Sequence, residues 1–307
     1  MRAIVLGSAA GGGFPQWNDN TEASRRARRG DAMAPARSQA SVAVSANNRD
    51  WFILNASPDL RQQIEATPAL HPRHGLRSSP ISGVVLTGGD VDAVAGLLHL
   101  RERHRFAVYA PARVLAILAN NRIFDVLAAD CVTRMSMPID TLLPLTGQAG
   151  NSGLSVAAYT VPGKPPLYQE GADFDPTPRE DGDVIGLTIS EPATGKTFHF
   201  IPSCAAMTDG LRHRLASSKL VFFDGTLWTD DEMIRLGVGN KTGRRMGHMS
   251  MSGPHGSIAA LAGLGMTRRI FLHINNTNPV LLDDSPERRQ AESAGWEIAY
   301  DGMEIAL

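Results

Sequence analysis

The stretch Leu86-Thr87-Gly88-Gly89-Asp90-Val91-Asp92-Ala93-Val94-Ala95-Gly96-Leu97-Leu98 carries the strongest indication of the fold. It follows an apolar run, Ile81 to Leu86, that predicts a buried strand, and it leads into Val94 to Leu100, whose apolar spacing predicts a helix. Asp90 and Asp92 therefore fall where a strand ends and a helix begins, which is where open α/β sheets bind ligands. Two carboxylates this close in an extended turn can face one cation. Alternatively, Asp90 or Asp92 caps the helix that follows.

The composition is that of an ordinary globular protein, since 43% of the 307 residues are hydrophobic and 20% are charged. The 30 basic and 31 acidic residues leave a net charge of -1, which argues against nucleic acid or a membrane surface as partner. Two cysteines, Cys131 and Cys204, are too few for a disulfide framework. Because no apolar run is long enough for a signal peptide or a bilayer span, we expect a cytoplasmic protein.

Strand-rich and helix-rich parts alternate twice along the chain, in roughly ten strands and five or six helices, which favours an α/β protein with a two-sheet core and helices on both outer faces. Ala40 to Ser45 and Trp51 to Leu54 predict a hairpin, and Ser57-Pro58 predicts the N-cap and first position of a helix. The Pro-, Gly- and acid-rich stretch 168–183 predicts a long surface loop. No linker divides the chain, so we expect one domain over residues 1–307.

Polar residues recur at the ends of the apolar strands, and several strand ends that converge on one rim are the usual setting of a metal or catalytic site. A core histidine is the alternative for His273, which lies inside the predicted strand Ile270 to Ile274. The recurring residues are Asp90, Asp92, Lys164, Cys204, Asp224 and His273, with His248 added from a loop.

Several motifs of the chain together resemble PqqB, the family of coenzyme pyrroloquinoline quinone (PQQ) biosynthesis protein B, over nearly the whole length. This family has the metallo-β-lactamase fold, an αββα sandwich with its site along one edge. The motifs are Gly7-Ser8-Ala9-Ala10-Gly11-Gly12-Gly13 with Pro15-Gln16-Trp17-Asn18, Asn55-Ala56-Ser57-Pro58-Asp59, Gly89-Asp90-Val91-Asp92, Asp224-Gly225-Thr226, Gly247-His248 and His273-Ile274-Asn275-Asn276-Thr277-Asn278-Pro279.

The resemblance implies an iron-dependent oxygenase that hydroxylates the tyrosine-derived ring of a Glu–Tyr intermediate in PQQ biosynthesis. Two alternatives come with it. One is a non-catalytic carrier that transports PQQ or its precursor. The other is a metal-dependent hydrolase, because the wider fold hydrolyses esters, amides and phosphodiesters through a bound metal hydroxide.

The chain departs from the resembled pattern at its metal-binding motif. The hallmark of the wider fold is His-x-His-x-Asp-His, and PqqB keeps the last histidine, where this chain has Ala93, which cannot bind a metal. Lys164 stands where the wider fold has a histidine, and Cys204 where it has a bridging aspartate. Aligned on Asp92, the four hallmark positions are Gly88, Asp90, Asp92 and Ala93.

A second departure concerns the Cys cluster that holds a structural zinc in PqqB. Asp19, Thr21 and Ser24 fall in that region, and no cysteine lies nearby. Because tetrahedral zinc requires Cys or His ligands, we expect no structural zinc.

The remaining ligands predict a metal site for Fe(II), with zinc as the alternative ion, formed by Asp90, Asp92 and His273, and Asp224 and His248 are reserve ligands. Asp224 and His248 are predicted to act in catalysis by positioning the phenol or moving protons. Lys164 and Asn275 are predicted to bind the ligand, since PQQ and its precursor carry carboxylates that a cation would pair with. The expected partner is a small molecule or dipeptide derived from Glu and Tyr, and a homodimer is compatible with the sequence.

Overall fold

Two sheets of seven strands each pack face to face in the computed structural model, which describes residues 1–171, 175 and 177–307. The strands are β1 (Arg2–Gly7), β2 (Ser41–Ser45), β3 (Trp51–Leu54), β4 (Ile81–Val85), β5 (Phe106–Ala110), β6 (Val132–Ser136), β7 (Leu142–Gly147), β8 (Gly150–Thr160), β9 (Ile185–Glu191), β10 (Lys196–Ile201), β11 (Leu220–Asp224), β12 (Arg268–Leu272), β13 (Glu297–Ile298) and β14 (Glu304–Ala306). The first sheet has the strand order β14-β1-β2-β3-β4-β5-β6, and the second has the order β13-β12-β11-β10-β9-β8-β7.

Both sheets combine antiparallel and parallel pairing. Strands β3 to β6 run parallel in the first sheet, and β10 to β13 run parallel in the second. The other pairs in each sheet are antiparallel. Because parallel strands end at the same edge, the segments after β4, β10, β11 and β12 are brought to the edges where ligands bind in α/β folds.

Helices cover the outer face of each sheet. Leu60, Val114 and Leu118 pack from the helices onto the first sheet, and Leu211 and Ala291 pack onto the second. The helices are α1 (Glu22–Arg28), α2 (Leu60–Ala66), α3 (Val91–Val94), α4 (Ala112–Asn120), α5 (Asp209–Leu215), α6 (Glu232–Arg235), α7 (Gly243–Met246), α8 (Ser257–Ala260) and α9 (Pro286–Ser293), with short 3-10 helices at Pro68–Leu70, Ala95–Leu100, Arg122–Val126, Leu167–Gln169 and Pro279–Leu281.

The layers confirm the predicted αββα sandwich. An apolar cluster fills the space between the sheets and draws on both, with Val42 and Phe52 from the first sheet and Phe200 and Phe222 from the second. Since this cluster is shared, we propose that the chain folds as one domain. Among the described residues, none of the helices combines the length and apolar character that a bilayer span requires.

The predicted helix starts are wrong in detail. The hairpin of β2 and β3 is confirmed, but α2 begins at Leu60, two residues after the predicted start. The Ser57 hydroxyl accepts from the Asp59 N–H, as an N-cap does, and donates to Gln63. The helix predicted over Val94 to Leu100 is 3-10 from Ala95 onward. Its Gly96 N–H donates to Ala56 of a neighbouring segment at 2.9 Å, which competes with α-helical bonding. Of the predicted surface loop 168–183, residues 172–174 and 176 lie outside the described residues.

Glu232 is a buried carboxyl group that joins two loops of the second sheet. Its Oε2 accepts from the Trp228 and Thr229 N–H groups at 2.6 and 3.3 Å, and its Oε1 accepts from the Thr277 hydroxyl at 2.6 Å. Burial raises the pKa of Glu232 to about 7, although these hydrogen bonds oppose the shift.

This raised pKa predicts that the protein loses stability as the pH rises. Between pH 4.5, the usual pKa of glutamate, and pH 7 the folded state binds more protons at Glu232 than the unfolded state, so the free energy of unfolding falls with increasing pH. Glu232→Gln mimics the protonated form and should remove up to about 3 kcal/mol of this pH dependence. Urea denaturation of both proteins at pH 5 and pH 8 measures the difference. Glu65→Gln, on an exposed position, is the control, and an unchanged pH dependence in Glu232→Gln would contradict the pKa shift.

Candidate metal centre

Four of the five predicted catalytic and metal-binding residues lie around one cavity of about 120 Å³, and the fifth, Asp224, is buried directly behind it. The turn between β4 and α3 supplies Asp90 and Asp92, the residue after β12 is His273, and the segment after α7 supplies His248. The strand ends of both sheets therefore do converge on one site.

Asp90 occupies the N-cap position of α3 but does not cap it. Its side chain makes no capping hydrogen bond and lines the cavity instead, so the capping alternative is wrong for this residue. None of the described residues donates a hydrogen bond to its carboxylate. Burial, and then the negative charge of Asp92, raise the pKa of Asp90, while the positive charge of Lys164 opposes the shift.

His273 forms an ion pair with Asp92 at the floor of the cavity. The His273 Nε2 lies 2.8 Å from the Asp92 Oδ2, and both side chains are largely buried. Burial acts against the charged form of each partner. The hydrogen bond between them and the opposite charges around them together outweigh it, lowering the pKa of Asp92 and raising that of His273. The alternative of a plain core histidine does not hold, since His273 contacts the cavity.

His248 and Asp224 form a second pair beside the first. The His248 Nδ1 lies 2.7 Å from the Asp224 Oδ2, and the rings of His248 and His273 stack at 5.3 Å with an angle of 20°. Asp224 also accepts from the Cys204 N–H at 2.8 Å and from the Thr226 N–H at 3.0 Å. With its lone pairs used in this way, Asp224 is suited to orient His248 and would have to give up hydrogen bonds to bind a metal.

Thr226 connects the two pairs, and sequence reasoning did not single it out as a site residue. Its hydroxyl lies 2.6 Å from the Asp224 Oδ1 and 2.8 Å from the His273 Nδ1. A hydroxyl has one proton, so it donates to the carboxylate and accepts from the Nδ1–H of His273. In the ion pair with Asp92 both ring nitrogens of His273 carry a proton, so the contact with Thr226 fixes the orientation of the ring and directs Nε2 toward Asp92. The signal available in the sequence was its place two residues after Asp224, at the end of β11.

The structure places the three other polar residues predicted near the strand ends in different surroundings. Lys164 lines the cavity as predicted. Cys204 is fully buried, and its thiol donates to the Ala206 carbonyl at 3.2 Å; burial raises its pKa. Asn275 lies outside the cavity lining because the chain turns away at His273, whose φ is 59°, and its amide donates to Thr277 at 2.6 Å. The predicted contact of Asn275 with the ligand stays a prediction.

The donor set fits a cation. Asp90 and Asp92 repel each other, and the Nδ1 of His248 faces Asp224, which leaves its Nε2 for a metal. The Nε2 of His273 would bind a metal by exchanging its contact with Asp92 for the ion. Carboxylate oxygens and imidazole nitrogens suit Fe(II) and Zn(II) alike. Among the described residues, the three groups whose ligand atoms lie within 4.8 Å of one another are Asp224, His248 and His273. The predicted ligand set of Asp90, Asp92 and His273 lines the same cavity and stays a prediction.

The segment in which PqqB carries a Cys cluster is held here by hydrogen bonds. The Asp19 carboxylate accepts from the Thr21 N–H at 3.1 Å, from the Thr21 hydroxyl at 2.7 Å and from the Ser24 hydroxyl. These bonds lower the pKa of Asp19 against the effect of burial. The oxygen atoms of the three side chains thus satisfy one another, and the absence of a structural zinc stays a prediction.

An αββα sandwich with a cluster of carboxylates and histidines at the strand ends defines the metallo-β-lactamase superfamily, and residues 50–274 match the model of the β-lactamase superfamily domain. The chain is 55% identical to coenzyme PQQ synthesis protein B of Gluconacetobacter diazotrophicus over 98% of both chains, and 54% identical to that of Xanthomonas euvesicatoria over the whole of both. It therefore belongs to the PqqB family of coenzyme PQQ synthesis.

Solved structures agree with this family. The Zn²⁺-bound PqqB from Methylobacterium extorquens superimposes with a TM-score of 0.95 at 48% identity, over the whole of both chains. A diphosphatase of the PhnP family superimposes with a TM-score of 0.68 at 18% identity, which shows the shared fold alone.

Ala93→His should strengthen metal binding. Ala93 follows Asp92 in α3, is 7% exposed and lines the cavity, so an imidazole there would reach toward the carboxylates. We expect the Fe(II) affinity to rise on the order of tenfold from the added nitrogen ligand. Anaerobic Fe(II) titration of both proteins gives the affinities.

Ala112→His, at the exposed start of α4, serves as the control for adventitious binding by an added histidine. Thermal melting shows whether the new side chain clashes in the cavity. Equal Fe(II) affinities in two stably folded proteins would show that position 93 is not a ligand position.

Proposed function

We propose that the protein is an iron-dependent oxygenase that hydroxylates the tyrosine-derived ring of a Glu–Tyr precursor of PQQ. Membership of the PqqB family supports the pathway. The chemistry is supported by the set of Asp90, Asp92 and His273 at one cavity, because two carboxylates and one imidazole resemble the facial triad of non-haem iron oxygenases.

The main observation in support of the proposal is that the Asp90 carboxylate is buried in the cavity without a hydrogen-bond donor among the described residues. This carboxylate sits at a helix N-cap without making the capping bond that would be worth about 1 kcal/mol there. It faces a second carboxylate in the cavity instead, with its pKa raised by burial. Such an arrangement is unfavourable for the protein alone and favourable once a cation lies between the carboxylates.

Bound Fe(II) would supply the redox chemistry by which dioxygen reacts with the ring. The reaction consumes one O₂ and two electrons and two protons from an external reductant. One oxygen atom is inserted into a ring C–H bond, and the other leaves as water. The residues of the chain bind the substrate, orient it and handle its phenol proton.

His248 is the residue placed to hold that proton. Its Nδ1 pairs with the Asp224 carboxylate, so Nε2 is oriented toward the cavity and is available to a phenol hydroxyl. Asp224 stabilises the protonated imidazole and keeps the ring in place through its remaining hydrogen bonds to Cys204 and Thr226. In this proposal His248 is a catalytic residue and Asp224 a positioning residue.

The proposal is tested with Fe(II)-loaded protein, a Glu–Tyr dipeptide and a reductant. We expect substrate-dependent oxygen consumption and a product heavier by one oxygen atom. Asp92→Asn should lose iron and activity together, whereas His248→Gln should retain a large share of the iron and lose at least about 100-fold in turnover, the lower range of proton-transfer catalysis. Oxygen consumption that does not depend on the dipeptide, or an unchanged dipeptide with iron bound, would contradict the oxygenase.

A carrier for PQQ or its precursor is the second candidate. It is favoured by the direct contact of His273 with Asp92, which neutralises both groups without a metal, and by Ala93 in place of a ligand. Tight binding of PQQ by metal-free protein, together with no turnover in the oxygen assay, would favour it. Hydrolysis of the dipeptide in the same assay would instead favour the hydrolases of the wider fold.

A further inference from the structure

The segment from Lys164 to Glu170, called the wall below, contacts the cavity through Lys164 and the metal centre through Tyr168. Lys164 lines the cavity, and the Tyr168 hydroxyl donates to the Gly89 carbonyl at 2.5 Å. Gly89 directly precedes Asp90, so this wall lies against the turn that carries the carboxylates. A ligand that enters the cavity therefore meets this segment.

Glu170 of the wall forms ion pairs with two cations, Lys164 and Arg245. Its Oε1 lies 2.9 Å from the Lys164 Nζ, and Arg245 at the end of α7 binds both oxygens, at 3.2 and 2.7 Å. The Glu170 side chain is 8% exposed, and the Arg245 hydrogen bond and then that of Lys164 hold its pKa at about 2 against the effect of burial. A two-point arginine contact plus a lysine is the geometry with which proteins bind a ligand carboxylate.

The cavity is too small for the proposed substrate as long as this wall is in place. Its volume is about 120 Å³, whereas pockets for small organic ligands are roughly 300 to 1,000 Å³. A dipeptide therefore needs part of the lining to move. Outward movement of Glu170 would break its ion pairs with Lys164 and Arg245, so ligand entry and the loss of these ion pairs would be coupled.

We propose that Lys164 and Arg245 form the subsite for the glutamate-derived carboxylate of the substrate, and that Glu170 occupies this subsite while no substrate is bound. The inference rests on the proposed function for the identity of the ligand, a Glu-bearing precursor. It goes further in naming the residues that recognise the Glu part and in giving the protein an internal competitor for them.

The competition has a direct thermodynamic consequence. A substrate carboxylate exchanges with the Glu170 carboxylate. The apparent association constant for the substrate is therefore the intrinsic constant multiplied by the fraction of protein in which Glu170 has left the subsite. Glu170→Gln keeps the size of the side chain but removes its charge, and should therefore bind Glu–Tyr more tightly. Lys164→Met removes one cation of the subsite and should bind it more weakly.

Isothermal titration calorimetry of metal-free protein with Glu–Tyr and with Gln–Tyr tests the proposal. We expect the Kd for Glu–Tyr to fall about tenfold in Glu170→Gln, equivalent to about 1.4 kcal/mol, and to rise by a similar factor in Lys164→Met. Gln–Tyr differs by the single carboxylate and should bind weakly to all variants, with little change between them.

Glu297→Gln is the matched control, since Glu297 forms a comparable two-point pair with Arg268 at the start of β12, the opposite end of that strand from His273. This variant should bind both dipeptides as the unmodified protein does. Melting temperatures establish that every variant is folded. Weaker binding of Glu–Tyr by Glu170→Gln, equal affinities for Glu–Tyr and Gln–Tyr, or no binding by any folded variant would each overturn the subsite. Because the titration needs neither iron nor oxygen, a protein that binds as expected but does not hydroxylate contradicts the oxygenase alone.

Discussion

Two carboxylates share one largely buried cavity, and the placement of positive charge around them explains most of the site. His273 compensates Asp92 through a direct ion pair of 2.8 Å. Asp90 receives no hydrogen bond from the described residues, and the nearest compensation comes from the charge of Lys164, which is itself paired with Glu170. The cavity therefore retains a negative site that a divalent cation would neutralise.

The fold positions most of these charged side chains directly after the ends of buried strands. β4 in the first sheet and β11 and β12 in the second end at the same edge of the sandwich. β4 and β11 are buried throughout, and β12 is buried over its last three residues. Behind the cavity, Thr226 and Asp224 orient the two histidines from rigid positions at the end of β11. Rigid support of this kind keeps ligand geometry within the small tolerance that metal sites require.

The sequence predicted the sandwich and most of the cavity, because apolar runs that end in polar residues identify strand ends without knowledge of their neighbours. Thr226 was missed since a hydroxyl after a strand has many ordinary roles, and its connection to His273 spans 47 positions of the chain. The role of Glu170 was equally hidden, because its partner Arg245 lies 75 positions away. The direction of Asn275 depends on the left-handed turn at His273, which no pattern of residue types indicated.

Tertiary contacts also overrode local patterns near the site. The segment after Asp92 has helical spacing, yet it is 3-10 from Ala95 onward because Gly96 packs against the segment that holds Ala56. The same close packing places Ala93 against the cavity, where the resembled family has a histidine.

The central claim is that Asp90, Asp92 and His273 hold one metal ion at the edge of the sandwich. Anomalous diffraction at the iron edge, from crystals loaded anaerobically with Fe(II), locates the ion directly. The account predicts one strong peak between the Asp92 carboxylate and the His273 Nε2, with Asp90 turned toward it and Asp224 still bonded to His248. The claim would be contradicted by an iron peak at Asp19 or another position together with electron density in which Asp92 and His273 remain in direct contact.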